Sequence, residues 1–451
     1  MPSRRELLKL LGVGAAGLAL GALGASLLGS GTSGTPESSS TAQPATKQFS
    51  RSQQGQKLRA LWIYVGPVGD VGWTHAHHVG RGRALEALKD FVDTSVQTYV
   101  EKIPENQAYT TIKRAIEEYG YQAVFATSFG YMDAIKRLAR EYPEVTFYHC
   151  SGPWEEFKDL PNVVTYFAEF YQLYYLNGIA AGAVTKTCRV GYVPAFLIPE
   201  VVRHINAFAL GAVYGAKITG NCDNGRKLEI YVTAPLFQWF DPPKARSYAE
   251  TLINAYNVDV IAYTEDSTAI LETAAEYGVY SFSHYSDMLS YLLSKTKDEK
   301  MVERIKRSHL TGQVADWAPI YTYLLAKKVL GIAEKEDIWA RLGDFTPIRW
   351  RRPIEESTAG KPEGAVYLAT LNTEAIPAKA LEEIKRLYEE MKELLFEPFT
   401  GPIRGYTIDS SGKQVGPVET KVPEGVRWGR NELWSEKTMN WFYEKIITLA
   451  K

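Results

Sequence analysis

From Leu58 onward, short apolar runs alternate with longer stretches in which apolar residues recur every three or four positions. The first pattern marks buried strands and the second marks helices with one apolar face. Residues 58–65 end at Gly66 and Pro67 and predict a strand followed by a turn. Ala108, Ile112, Ala115, Ile116 and Tyr119 predict a helix with Gly120 as its cap. A strand follows at 123–127, then a helix through Met132, Ile135, Leu138, Ala139 and Tyr142, stopped by Pro143, then a strand at 146–149. The cycle resumes with strands at 189–193, 228–233, 258–263 and 279–283, and helices near 244–256 and 267–277. An amphipathic helix near 378–396 is expected to lie against the second half of the molecule.

Strands alternating with helices imply parallel sheets covered on both faces. One row would hold an unusual number of strands, so an α/β fold of two lobes is expected, with the first crossing near Asn162–Tyr166. In such sheets ligands sit outside the carboxyl ends of the strands. The loops there carry aromatic rings at Trp73, Phe129, Tyr131, Phe196, Trp239, Phe240, His284 and Tyr285, and acids at Asp70, Asp241, Asp266 and Asp287. Apolar faces with a few acceptors suit a flat, nitrogen-rich ligand.

The first 57 residues follow another pattern. Ser3-Arg4-Arg5 opens a twin-arginine-like export signal, and the uncharged stretch Leu10 to Leu28 follows it. About 20 apolar residues span a bilayer, so residues 1–28 are expected to be an export signal retained as a membrane anchor. Residues 29–57 have linker composition, with a reach of roughly 30 Å. The protein is therefore expected outside the cytoplasm, tethered to the outer face of the cytoplasmic membrane. Lys335–Arg352 and Ser357–Gly364 are expected to be surface insertions.

Over 451 residues, 51 Lys and Arg balance 52 Asp and Glu. A net charge of −1 excludes a globally basic nucleic-acid binder, and no nucleic-acid partner is expected. Three cysteines exclude a disulfide scaffold and a four-cysteine zinc site. Cys188 and Cys222 each precede a strand of the second lobe, and spacing alone leaves their pairing open; Cys150 is expected to fill space as a small apolar residue. His75, His77 and His78 do not share one helical face, so no metal is expected, and no cofactor. The acids form no calcium-type cluster, and no nucleophile elbow, phosphate loop or His-Glu-x-x-His is present, which argues against an enzyme.

Several segments resemble the basic-membrane-protein family of extracytoplasmic binding proteins for ABC transporters. They are Gly66–Trp73 (GPVGDVGW), Ala126–Asp133 (ATSFGYMD), His149–Gly152, Gly191–Glu200 (GYVPAFLIPE), Ile205–Gly211 (INAFALG), Trp239–Pro242, Tyr285–Met288 and Phe399–Ile403 (FTGPI). The resemblance covers roughly residues 58–415. It implies a type I periplasmic-binding-protein fold: two doubly wound parallel-sheet lobes joined by three crossover segments. On that pattern the first lobe comprises 58–165 and 284–313, and the second 166–283 and 314–451.

The resemblance also implies capture of a purine base or nucleoside between the lobes and delivery to an ABC permease. The ligand-binding residues it points to, with those read from the strand ends, are Asp70, Trp73, Ser128, Phe129, Tyr131, Phe196, Trp239, Asp241, Asp266, Asp287 and Trp317. Nucleoside-binding relatives carry a ribose-holding lysine where this chain has Val314–Trp317. Its absence, with Trp317 in its place, favours a free base such as adenine over a nucleoside. Gly69 stands where the family has an asparagine, so any contact made by that asparagine is missing here.

Overall fold

The structure is a computed structural model that describes residues 56–223, 225–332, 335–345 and 364–450. The export signal, nearly all of the linker and residues 346–352 and 357–363 of the two expected insertions lie outside the described residues; residues 335–345 are no surface insertion, since Asp337–Ala340 forms a half-buried strand at the edge of the first sheet.

The first five strands, β1 (Ala60–Ile63), β2 (Tyr99–Val100), β3 (Ala123–Ala126), β4 (Thr146–Cys150) and β5 (Val163–Ala168), are parallel. Their side chains alternate between two helical layers, as the pleat requires. Leu61, Ile63, Val124 and Phe147 meet Ile112, Ile116, Ile135 and Leu138 of the helices Ala108–Tyr119 and Met132–Glu141. On the other face Trp62, Phe125 and Tyr148 stack in a row, with both neighbouring ring pairs at 4.3 Å. The helices Trp73–Ala87 and Ala318–Leu330 cover that row.

The second sheet begins with β6 (Arg189–Val193), β7 (Glu229–Val232), β8 (Val260–Tyr263), β9 (Tyr280–Tyr285) and β10 (His309–Ala315), again parallel. The helices Tyr171–Val184 and Pro199–Thr219 lie together on one face. They approach closely because Gly178, Gly182, Gly211 and Gly215 face the partner backbone, and a Cβ at Gly182 would stand 1.9 Å from the Ala212 carbonyl oxygen. No polar face is left on the first of these helices, so its sequence reads as uniformly buried.

The chain then recrosses. β11 (Asp337–Ala340) pairs in parallel with β5 at the edge of the first sheet, and β12 (Val366–Leu368) runs antiparallel beside β10 in the second. β13 (Ile403–Ile408), β14 (Gln414–Val422) and β15 (Trp441–Tyr443) form a separate antiparallel sheet. β16 (Ile446–Thr448) closes the second sheet beside β7. The architecture is thus two doubly wound α/β lobes with three crossings.

The crossings differ from those expected. β5 runs on to Ala168, so the first lies at Glu169–Phe170. Residues 284–313 belong with the second sheet, because β9 continues through the short helices Met288–Lys295 and Glu299–Ser308 into its neighbour β10. The second crossing is at Asp316–Trp317, and the segment returning to the first lobe is the helix Ala318–Leu330 with β11. The third lies between Ala340 and Val366. Backbone hydrogen bonds tie the crossings together: Glu169 N to Ala340 O at 2.7 Å, and Asp316 N to Ala365 O at 2.8 Å.

Candidate functional site

The carboxyl ends of the two sheets face each other across the cleft. The loops after β1, β3 and β4 contribute Val65, Trp73, Thr127, Ser128, Phe129 and Ser151. Those after β6, β7, β8 and β9 contribute Glu200, Trp239, Asp266 and Tyr285. Together they line a small cavity, about the size of a water molecule in this closed arrangement of the lobes. None of these lining residues is cationic.

The lobes meet tightly around it. A Cβ on Gly72 would stand 2.6 Å from the Asp266 carbonyl oxygen, so only glycine lets the two backbones approach there. The Ser286 hydroxyl donates to the Val71 carbonyl, and the Ser151 hydroxyl donates to Glu200 Oε2. Tyr285 donates to the other oxygen of Glu200 at 3.0 Å. Burial pushes the Glu200 carboxyl up, while nearby Arg203 and these two donors oppose the shift.

Trp73 opens the helix Trp73–Ala87. Its indole N–H donates to the Thr127 carbonyl at 2.7 Å, and its ring meets Tyr285 edge-on at 5.0 Å. Trp239 packs against Phe196 with ring centroids 4.6 Å apart. Ser128 donates to Glu105 Oε1 at 2.6 Å. Asp266 is fully buried, and its carboxyl is pushed well up by burial and by Asp70, Glu265 and Glu200. A hydrogen bond from the Trp73 backbone reaches across the cleft to it. Its Oδ1 has no hydrogen-bond partner.

Trp73, Ser128, Phe129, Trp239 and Asp266 of the expected set line the cavity. The other six do not. Asp70 accepts the amides of Gly72, Thr74 and His75, each at 2.9 Å, and so caps the helix behind Trp73. Burial raises its carboxyl to about 7 against those three bonds. Asp241 and Asp287 likewise cap the helices Pro242–Tyr256 and Met288–Lys295, through Lys244 N and Ser290 N. A strand-end aspartate is also an N-cap, and sequence does not separate the two roles.

Tyr131 is buried in the first lobe, with its hydroxyl on the Ile103 carbonyl at 2.7 Å. Phe196 supports Trp239 from outside the lining. Trp317 does not close one end of the cleft, because it is fully buried and stacked on His77 with ring centroids 4.0 Å apart. His77 also bonds to Tyr321, while His75 turns to the Val68 carbonyl at 3.3 Å. Among the described residues no group of His, Cys, Asp or Glu is arranged to hold a metal.

Sequence reasoning missed Glu200, Ser151, Thr127 and Val65, and left Tyr285 as one strand-end ring among many. The signal for Glu200 was there: it is the lone acid in the apolar segment 191–202, one residue after the Pro199 that starts a helix.

The family model described as "Bmp: ABC transporter substrate-binding protein PnrA-like" matches residues 57–342. A purine-binding protein of Brucella abortus is 34% identical over 77% of this chain and 85% of its own length. A putative ABC transporter glucose-binding protein of Haloferax volcanii is 30% identical over 70% of this chain and 72% of its own. Among solved structures, an ABC transporter solute-binding protein from Aeropyrum pernix K1 shares the fold, with a TM-score of 0.53 at 16% identity. That match covers 74% of this chain and 91% of the other. The matched family consists of ABC transporter substrate-binding proteins, which bind solutes and are not enzymes. With two facing lobes, a cleft lined from their strand ends, a family model matched over residues 57–342 and a relative 34% identical over most of both chains, the chain belongs to the Bmp family of ABC transporter substrate-binding proteins.

Proposed function

We propose that this protein captures a purine, a free base such as adenine in preference to a nucleoside, and hands it to an ABC permease. It does so from outside the cytoplasm, tethered to the outer face of the cytoplasmic membrane by its N-terminal apolar stretch. The observation that carries the ligand reading is that Asp266, whose buried Oδ1 has no hydrogen-bond partner, lines the cavity together with Trp73, Phe129 and Trp239. Rings take the faces of a flat base, and an unprotonated carboxyl oxygen accepts from its amino group.

A ribose would bring three hydroxyls, each costing free energy if buried without a partner. Apart from Asp266 Oδ1, the polar lining groups already have partners: Thr127 the Ile63 carbonyl, Ser128 Glu105, and Ser151 and Tyr285 Glu200. The same engagement disfavours a hexose, although one relative is named for glucose. The 34% identical relative is named for purines.

Calorimetry on a protein starting at Lys57, with adenine, guanine, adenosine, guanosine and glucose, tests the reading. Adenine is expected to bind at least about tenfold tighter than adenosine, or ~1.4 kcal/mol. Equal or tighter binding of a nucleoside removes the free-base preference, and glucose alone binding removes the purine. Fractionation of the full-length chain with membranes tests the tether; recovery in the soluble extracytoplasmic fraction overturns it.

A further inference from the structure

We infer that His284 is a positioning residue for the ligand-binding carboxylate: a buried hydrogen-bond series fixes its ring proton on Nε2 and aims it at Asp266 Oδ1, holding that oxygen as an acceptor for a ligand amino group. The inference rests on the purine reading above for its ligand, and on the second lobe alone for its geometry.

The Tyr174 hydroxyl lies within reach of both the Tyr263 carbonyl and, at 3.0 Å, His284 Nδ1, and the shorter contact assigns its proton to the carbonyl. Tyr174 donates its single hydroxyl proton to the Tyr263 carbonyl at 2.8 Å, so its oxygen is left as an acceptor. Gln313 Nε2 lies 2.9 Å from that oxygen and must be the donor, which fixes the orientation of the amide. Its other end agrees, because Gln313 Oε1 accepts from Asn177 Nδ2 at 2.7 Å. The second hydrogen of Gln313 Nε2 then points to His284 Nδ1, 2.8 Å away. A ring nitrogen that accepts carries no proton, so the proton of neutral His284 sits on Nε2.

Burial and the neighbouring His204 push His284 well down, which keeps the ring neutral. Nε2 has no hydrogen-bond partner and lies 3.6 Å from Asp266 Oδ1, itself unpartnered. Both side chains are buried, and the rings of Tyr263 and Tyr285 flank the imidazole at 5.5 and 3.7 Å. Two unsatisfied polar atoms facing each other beside a ligand cavity form an arrangement that a small closing movement completes. The Nε2–H then supports Oδ1 from behind and favours the ionised form of the carboxyl, against the burial that pushes it up.

Two measurements test this. Nitrogen-15 spectra of the imidazole in ligand-free protein should show His284 neutral with the proton on Nε2; a proton on Nδ1, or an imidazolium, overturns the inference whatever the ligand proves to be. Calorimetry with adenine should show His284→Leu about tenfold weaker and His284→Gln within about threefold of wild type, since the Gln amide restores a donor near Nε2. Equal affinities for wild type and both variants overturn the positioning role. If His284→Leu fails to fold, Gln313→Met, which removes the donor to Nδ1 and leaves the ring, should lose the single-tautomer spectrum and weaken adenine. Its retention of both would count against the inference. Should no purine bind at all, the proposed function falls while the spectra still decide the tautomer.

Discussion

The hydroxyl of Ser151, after β4 of the first lobe, donates to Oε2 of Glu200, on the helix that walls the cleft from the second lobe. Tyr285 holds the other oxygen of the same carboxyl, so Glu200 is fixed on its own lobe and latches onto the other. A bond between lobes exists only in the closed form and therefore weights the open–closed balance directly. Ser151→Ala should weaken purine binding about tenfold, or ~1.4 kcal/mol, by lowering the closed population. Small-angle scattering of the ligand-free variant should show a larger radius of gyration than wild type. Unchanged scattering and affinity would mean the contact is incidental.

The aromatic lining divides by burial. Trp73 is 7% exposed, wedged between His77, Tyr285 and Trp317, whereas Phe129 and Trp239 are only half-buried. Trp73→Ala is therefore expected to cost about 3–5 kcal/mol of stability in addition to affinity. Phe129→Ala and Trp239→Ala are the informative variants. Each should weaken purine binding by about 1–3 kcal/mol, roughly 5- to 150-fold, with little change in the Tm of ligand-free protein. A fall in Tm at constant affinity would place these rings in the scaffold.

How much of this was legible depends on how local the signal is. β6 was read from the sequence at its observed bounds, 189–193, because a short apolar run is a local pattern. The lobe assignment of 284–313 was misread because β9 and β10 are joined by two short helices, and nothing local says which sheet the next strand will enter. β13 to β15 went unread, since an exposed strand such as Gln414–Val422 carries little apolar alternation. At the site, Trp73 and Asp266 were legible as strand-end chemistry. Asp241 and Asp287 looked the same in sequence, and only geometry shows them capping helices. Trp317 was placed at the cleft by the resemblance, as the residue standing in the segment of the family's ribose-holding lysine, yet His77 and Gly80 form the surface it packs on.

Cys188 and Cys222 form a disulfide with Cα atoms 5.7 Å apart and a sequence separation of 34. Cys188 immediately precedes β6, so the bridge lies at the amino end of the sheet, away from the cleft. Closing a loop of that length stabilises by about 3.5–4 kcal/mol in the chain-entropy picture. The double variant Cys188→Ser/Cys222→Ser should lose roughly that amount in denaturant unfolding and keep wild-type affinity at a temperature where it remains folded. Loss of affinity without loss of stability would show that the bridge shapes the cleft.

Glu397 sets a pH window for stability. Its Oε2 accepts the Tyr171 hydroxyl at 2.8 Å and its Oε1 the Phe399 amide at 3.3 Å, deep in the second lobe. Burial nevertheless pushes its carboxyl up to about 7. A carboxyl raised on folding gives its full contribution below its unfolded pKa of about 4.3, and loses it as pH climbs through the folded value. The loss is of the order of 3 kcal/mol per such group, and Asp70, also raised to about 7, adds in the same direction. Buried histidines pushed down, His149, His204, His284 and His309 among them, act in the opposite direction between about pH 5 and pH 8, so the contribution of Glu397 is read as a difference between wild type and variant in urea titrations. Glu397→Gln, which cannot ionise, should start less stable at the lower pH, having exchanged an acceptor for a donor beside the Phe399 amide. From the lower to the higher pH its stability should change about 2–3 kcal/mol more favourably than that of wild type. Parallel changes in the two proteins would show that Glu397 does not titrate in that window.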